Sequence, residues 1–365
     1  MRISGIGLNV LDELYLPVDF ESEAFQRYRS QSRGDGGLEP GRLVLGEDFE
    51  RYIGKHYQPA LEEITEGRGP QRRNIGGPPI VALILASQVL EDCPIDIDYS
   101  GAVGDDEKGR WMLEHVKLLP LQTPDYITMP GETQVTLVMS DPAYDHGRGE
   151  RSFIINLGVS EEYGPEHVPE HFFSADIAVI GATALVPRLH QDLDNLVKRA
   201  KDNGAITVVT TVFDFKNERA NPDKPWPLGQ TKHTCAHTDL LMMDREEALA
   251  ISGRGDMRAA AQYFREAGVD TTIITHGANT VLFYSEGNLF EAAPLSELPV
   301  SEEVARRMEE NPELRGDTTG CGDNFCGGVI ASLATQMKQR PKAKPNLFEA
   351  VAAGVVSGGA ACFHV

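Results

Sequence analysis

Residues 316–328 read GDTTGCGDNFCGG, and both the fold and the chemistry of this chain turn on them. Asp323 follows Gly320-Cys321-Gly322 directly and precedes an apolar helical run. Small residues let a backbone turn tightly and come close to a ligand. Backbone N–H groups at a helix start, with the positive end of the helix dipole, make an anion site. A carboxylate at the edge of such a site repels a bound phosphate unless it has a task. The task that fits is accepting the proton of a hydroxyl that attacks the phosphate. The competing reading is a glycine-rich turn whose aspartate merely favours the helix dipole, and the rest of the chain decides between them.

Outward from this stretch, strand-like apolar runs alternate with helical patterns. RISGIGLNV reads as a strand from Arg2, 78–90 as a buried helix with proline in its first turn, and 95–103 as a strand. ADIAVIGA (175–182) is a strand and 188–203 a helix ending at Gly204. AITVVTTV, DLLMM and TTIITHG are further strands, TVLFYSEGNLFEA a hairpin, and 324–337 and 346–362 the last two helices. Repeated β-α units imply an α/β fold with a mostly parallel sheet and helices on both faces. Two regions break the rhythm. ETQVTLVMSD and ERSFIINLG, within 125–160, read as consecutive strands of a small separate sheet. Residues 21–73 combine a polar Gly/Arg-rich stretch with the helical FERYIGKHYQPALEEI.

A chain of 365 residues and 40.0 kDa, with 41% hydrophobic and 24% charged residues, is an ordinary globular protein. Its net charge of −21 argues against a nucleic-acid partner, which would select a basic face. An anionic ligand would therefore need local positive potential from helix N-termini or a metal ion. A strand opening almost at Met1 argues against a leader, and no apolar run reaches the ~18 residues that cross a bilayer. Five cysteines with no CxxC spacing fit reduced, mostly buried thiols and a cytoplasmic setting.

Several further motifs fall where strands end, the place where open α/β sheets bind ligands. Asn9 and Asp12 follow the first strand, and Gly76-Gly77 opens the helix PPIVALIL. GAVGDDEKG (101–109) is a strand-turn-helix signal in which Asp105 or Asp106 can cap the helix. Asp244 and Glu247 follow DLLMM, and Thr275 and Gly277 follow a later strand. Two metal patterns compete. HVPEH (167–171) formally fits a zinc signature, but its prolines break the helix that zinc would need. His233, Cys235 and His237 would share a face on a strand, without a clear fourth ligand. No Walker A sequence is present.

Residues 316–328 resemble the DTxGAGD signature of the ribokinase-like (PfkB) sugar kinase family, with Cys321 where that family usually has Ala. The other motifs follow in the family's order, and the 21–73 region is similar to the branch of adenosine kinase-type enzymes. The resemblance implies one ribokinase-like domain over 1–365, with a β lid from about 10–20 and 120–160 and an insertion-like 21–73. It implies ATP-dependent phosphorylation of a hydroxyl on a sugar or sugar-like small molecule, with Asp323 as general base. An anion hole would be built by Gly320, Cys321 and Gly322. Asp244, Glu247, Thr275 and Gly277 would line the nucleotide, with Glu247 holding magnesium through water. Asn9, Asp12, Gly76 and Gly77 would hold the substrate, and Asp317 a monovalent cation such as potassium. The family's Asn after the glycine pair is absent here, and Asp244 replaces another family Asn. An adenosine-type nucleoside kinase is an alternative, as is a regulator that binds nucleotide without turnover. Pairing through the lid would give a homodimer.

Overall fold

The computed structural model of the chain describes residues 1–32, 34–147, 149–231, 233–310 and 320–363. Fourteen strands form two sheets among these residues. In chain order they are β1 (Arg2–Gly7), β2 (Val10–Tyr15), β3 (Leu43–Leu45), β4 (Arg72–Gly76), β5 (Asp96–Gly104), β6 (Tyr126–Met129) and β7 (Val135–Asp141). They continue as β8 (Glu150–Asn156), β9 (Ile177–Gly181), β10 (Ile206–Thr210), β11 (Leu240–Asp244), β12 (Thr271–Thr275), β13 (Thr280–Ser285) and β14 (Ala293–Pro299). The main sheet has the order β14-β13-β12-β11-β10-β9-β1-β5-β6. It is parallel from β6 to β12, with β13 and β14 joining antiparallel at one edge.

The central strands of the sheet are buried on both faces because they are mostly apolar. In β9, Ile177 and Val179 enter one core while Ala178 and Ile180 enter the other. That split is the two-residue period of a strand applied to an unbroken apolar run. The same alternation sends Leu240 and Met242 of β11 to one side and Leu241 and Met243 to the other. The first side is covered by α1 (Pro78–Val89), α4 (Cys321–Gln339) and α5 (Leu347–Ala361). Between α1 and α4 in chain order come α2 (Glu107–Val116) and α3 (Arg245–Ser252).

Glycines bring the helices of that layer together. A Cβ at Gly327 of α4 would stand 2.5 Å from the Ala82 carbonyl of α1. A Cβ at Gly358 of α5 would stand 2.8 Å from the Cys321 carbonyl, and one at Gly354 equally close to Phe325. The first turns of α4 are therefore wedged between α1 and α5, with α4 and α5 antiparallel.

The second sheet has the order β3-β8-β7-β2-β4, and it differs from the two stretches expected for it. Residues 126–129 pair with β5 at the edge of the main sheet, while β3 comes from within 21–73 and β4 runs from the last two residues of that segment to Gly76. The 21–73 segment thus supplies one edge strand of the second sheet and the first residues of the other. It also covers one face, where Leu11, Leu137, Met139 and Ile154 pack on Phe20, Phe25, Phe49, Leu61 and Ile64. That face is occupied by the chain's own residues. Two local readings also change. The helix expected over 188–203 is two helices, Pro187–Gln191 and Leu193–Asp202. The hairpin partner of β13 begins only at Ala293.

Candidate active site

Gly320 adopts a left-handed conformation (φ 78°, ψ −2°) and forms the N-cap of α4. Such a φ is open to glycine at little cost. Among the described residues no side chain caps this helix start. Asn324 is the first to bond back, donating its N–H to the Gly320 carbonyl at 2.8 Å. The N–H groups of Cys321, Gly322 and Asp323 precede that bond and belong to the set an α-helix leaves for outside acceptors. The second half of the decisive stretch therefore forms a glycine-led helix start whose first N–H groups no described side chain caps. Residues 316–319, Asp317 among them, lie outside the described residues. Asp323, half-buried in the first turn, has its carboxyl pushed up to about 6 by burial.

Beside it are the carboxyl ends of three adjacent parallel strands, β10, β11 and β12. Asp244 ends β11 and stands in register with Thr275, the end of β12. Asp244 and Glu247 form a reciprocal cap at the start of α3. The Asp244 carboxylate accepts from the Glu247 N–H at 2.8 Å, and the Asp244 N–H donates to Glu247 Oε2 at 3.2 Å. This is the capping box that the spacing of two acidic residues three apart allows. Glu247 also accepts the hydroxyl proton of Thr211, just past β10. Its carboxyl is raised by burial first, then by the charges of Asp244 and Asp323, so the field of Asp323 reaches Glu247. Asp244 is raised by burial as well. Gly277 follows β12 with φ 51°, and a Cβ there would meet open space, leaving this turn accessible. Two carboxylates at the start of α3 thus lie within electrostatic reach of a third at the start of α4. Among the described residues no three His, Cys, Asp or Glu side chains converge as direct metal ligands.

The residues expected on the substrate side divide. The Asp12 carboxylate lies against Gly76, where any Cβ would overlap it. Gly77, at φ 105°, lets α1 start against the Leu8 carbonyl. The glycine pair therefore makes room for Asp12 on one side and for backbone on the other. Because α1 and α4 touch through Gly327, this corner and the α4 start belong to neighbouring helices of one layer. Asn9 has a different position from the one expected. It is 2% exposed, donates to the Ala102 carbonyl at 2.9 Å and accepts from the Tyr99 hydroxyl at 3.4 Å. Its amide clamps β5 against the end of β1, an internal strut. Thr211 was not anticipated, and the only local signal for it was the Thr-Thr pair at the end of AITVVTT.

Other motifs resolve into structure. Asp106 caps α2, accepting from the Gly109 N–H at 2.7 Å and from the Thr133 hydroxyl and N–H at 2.6 and 2.8 Å. His233–Ala236 is a short helix, so the strand alternation that would align His233, Cys235 and His237 does not exist. His171 contacts Asp98, and His167 accepts from the Gly164 N–H, in separate short turns. Of the five cysteines only Cys235 is buried; Cys93, Cys321, Cys326 and Cys362 are half-buried, against the mostly buried expectation. No helix among the described residues is long and apolar enough to cross a membrane.

A helix-flanked, mostly parallel sheet with a second small sheet defines a ribokinase-like fold. The chain belongs to the pfkB family of carbohydrate kinases, whose family model matches residues 61–364. It is similar to the aminoimidazole riboside kinase of Salmonella typhimurium, 22% identical over 65% of this chain and 67% of that protein. It is also similar to the cytidine kinase of Thermococcus kodakarensis, 25% identical over 52% of this chain and 59% of that one. A solved adenosine kinase from Schistosoma mansoni, in complex with 2-fluoroadenosine, superposes with a TM-score of 0.73 at 17% identity. That match covers 100% of this chain and 95% of the other, a likeness of fold.

Proposed function

We propose that this protein transfers the γ-phosphoryl group of ATP to a hydroxyl of a ribonucleoside, with Asp323 as general base. The observation that carries the reaction is a carboxylate held up to about 6 by burial in the first turn of an uncapped helix. A base with a pKa just below neutrality is mostly ionised at working pH yet still basic enough to accept a proton. The acceptor oxygen would attack phosphorus while its proton passes to Asp323 and the bond to the β-phosphate breaks. Negative charge on the transferring group would be met by the N–H groups of Cys321, Gly322 and Asp323.

Thr275 and Gly277 would flank the nucleotide, and Asp12 would accept from acceptor hydroxyls across the space opened by Gly76. Magnesium fits beside Glu247, a buried carboxylate whose like-charged neighbours would be relieved by a cation. With no direct ligand cluster among the described residues, Glu247 would hold it through water. There it would neutralise phosphate charge.

The ribonucleoside is chosen over a free sugar on two grounds. The second sheet incorporates 21–73, and the named relatives act on nucleosides. ADP release should be measured with ATP, magnesium and a panel of ribonucleosides and free sugars. Release driven by at least one ribonucleoside and at most weakly by sugars is expected. Turnover on sugars alone would replace the acceptor, and release independent of any acceptor would remove the kinase reading.

A further inference from the structure

We propose that Cys321 and Cys362 are a site of reversible oxidation, forming a disulfide that distorts the anion-binding helix start. The two sulfurs stand 3.3 Å apart although the residues are 41 positions apart in sequence. Their meeting is built into the helix packing. Gly358 lies beneath the Cys321 carbonyl, and Cys362 follows one turn later at the end of α5. Gly354 against Phe325 and Gly328 against Ser357 fix the same antiparallel alignment, so the pair rests on an interface rather than on loose chain ends. Both residues are half-buried, within reach of a small oxidant. The hydrogen bond with Cys321 lowers the Cys362 thiol to about 7, which makes its thiolate abundant at neutral pH.

The chemistry needs a hydroperoxide, and hydrogen peroxide suffices. The Cys362 thiolate attacks one peroxide oxygen, the O–O bond breaks, and a sulfenic acid forms as hydroxide leaves and takes up a proton. The Cys321 thiolate then attacks that sulfur, the S–S bond forms and the S–O bond breaks, releasing a second water. Two thiols and one peroxide give one disulfide and two waters. A dithiol reductant reverses the change by thiol–disulfide exchange.

A disulfide bond is about 2.05 Å long, so the sulfurs must close by about 1.3 Å. Side-chain rotation takes up part of this. The rest falls on the backbone of Cys321, which carries the first N–H of the anion site. Displacements near 1 Å at a reacting centre cost up to about 10²-fold in rate. The activity consequence rests on the kinase reading, whereas the covalent change does not.

The full chain should be treated with hydrogen peroxide and then examined by thiol labelling and mass spectrometry. Labelled thiols should fall from the five of the reduced chain by two, with a mass loss of about two daltons and a linked Cys321–Cys362 peptide pair. Turnover with ATP, magnesium and an active ribonucleoside should fall by about 10- to 100-fold and return on adding dithiothreitol. Cys362→Ser should match the wild type when reduced, form no disulfide and keep its activity in peroxide. An unchanged thiol count would overturn the proposal, as would a disulfide that leaves turnover intact. A peroxide-induced loss equal in Cys362→Ser would place the damage elsewhere and refute it too. Should the reduced protein turn over no acceptor, the thiol count still decides the covalent claim.

Discussion

Replacing Asp323 by Asn should make the protein more stable and nearly inactive. The two effects share one cause, the burial of a carboxylate beside a helix start that no described side chain caps. Burial raises the carboxyl from 3.8 to about 6, roughly two units. At ~1.36 kcal/mol per unit this is at most about 3 kcal/mol, and about 1–3 for a group that keeps some solvent contact. The sign follows from linkage. Below pH 4 Asp323 is protonated in both folded and unfolded chains, and the preference of the fold for the neutral form is fully present. Between pH 4 and 6 the unfolded chain ionises first, and that stability is lost as pH rises through the folded value. The neutral amide escapes the loss, so the advantage of Asp323→Asn should be absent near pH 4 and complete above pH 6. With ~2.1 cal/mol/K of unfolding entropy per residue, each kcal/mol is worth about 1.3 °C in a chain of 365 residues. A Tm gain of about 1–4 °C at pH 7 is therefore expected from scanning calorimetry at both pH values. Removal of the base should lower kcat by about 10²–10⁴-fold. An Asn variant no more stable than the wild type at pH 7 would refute the burial argument. One with kcat within tenfold of the wild type would refute the catalytic role.

Gly76→Ala puts a methyl into the space of the Asp12 carboxylate; the acceptor KM should rise by about tenfold or more with the ATP KM unchanged, read from initial rates with each substrate varied. Thr211→Val removes the hydroxyl that donates to Glu247, leaving that buried carboxyl raised still further. The magnesium concentration for half-maximal rate should climb several-fold, as a magnesium titration at saturating ATP would record. Asp106→Asn weakens three bonds at the start of α2, and the Thr133 and Gly109 bonds are what hold this carboxyl below its ordinary value. The loss should be about 1–2 kcal/mol at pH 7. A depressed carboxyl stabilises above its unfolded pKa, so the deficit should shrink as pH falls below 4, measured by urea unfolding at two pH values.

What could be read from the sequence was what local chemistry determines. The β-α rhythm and the glycine-led helix start each rest on residues within a few positions of one another. Contacts across long separations were not legible. Thr211 reaches Glu247 from 36 positions away, and nothing in AITVVTT marks which threonine ends at a carboxylate. Asn9 looked like a hydroxyl binder because it follows a strand. Its partners are Ala102 and Tyr99, 93 and 90 positions on, and they bury it. The second sheet was incomplete in the sequence for the same reason. β4 is an exposed, Arg-rich run that declares itself a strand only by pairing antiparallel with β2. The alternation at His233–His237 failed because Thr234 bonds the Asp194 side chain, folding the segment into a short helix instead of a strand.

The arrangement of charge at the site constrains how a nucleotide can enter. Asp244, Glu247 and Asp323 raise one another or are raised by burial, so the local field already disfavours a further negative charge. The chain as a whole carries −21, which offers no long-range attraction to an anion. ATP must therefore be drawn in by short-range features. The dipole and N–H groups of α4 act within the first turn, and their effect decays beyond it. They can hold one phosphate group but cannot offset a whole triphosphate beside three carboxylates. On the proposed reading, a divalent cation arriving with the nucleotide would remove most of that charge, and Glu247 would hold it through bound water. Asp244, Glu247 and Asp323 would then favour a metal-bound nucleotide over a bare one. The raised carboxyl of Glu247 would be the cost of that preference, recovered on binding the cation.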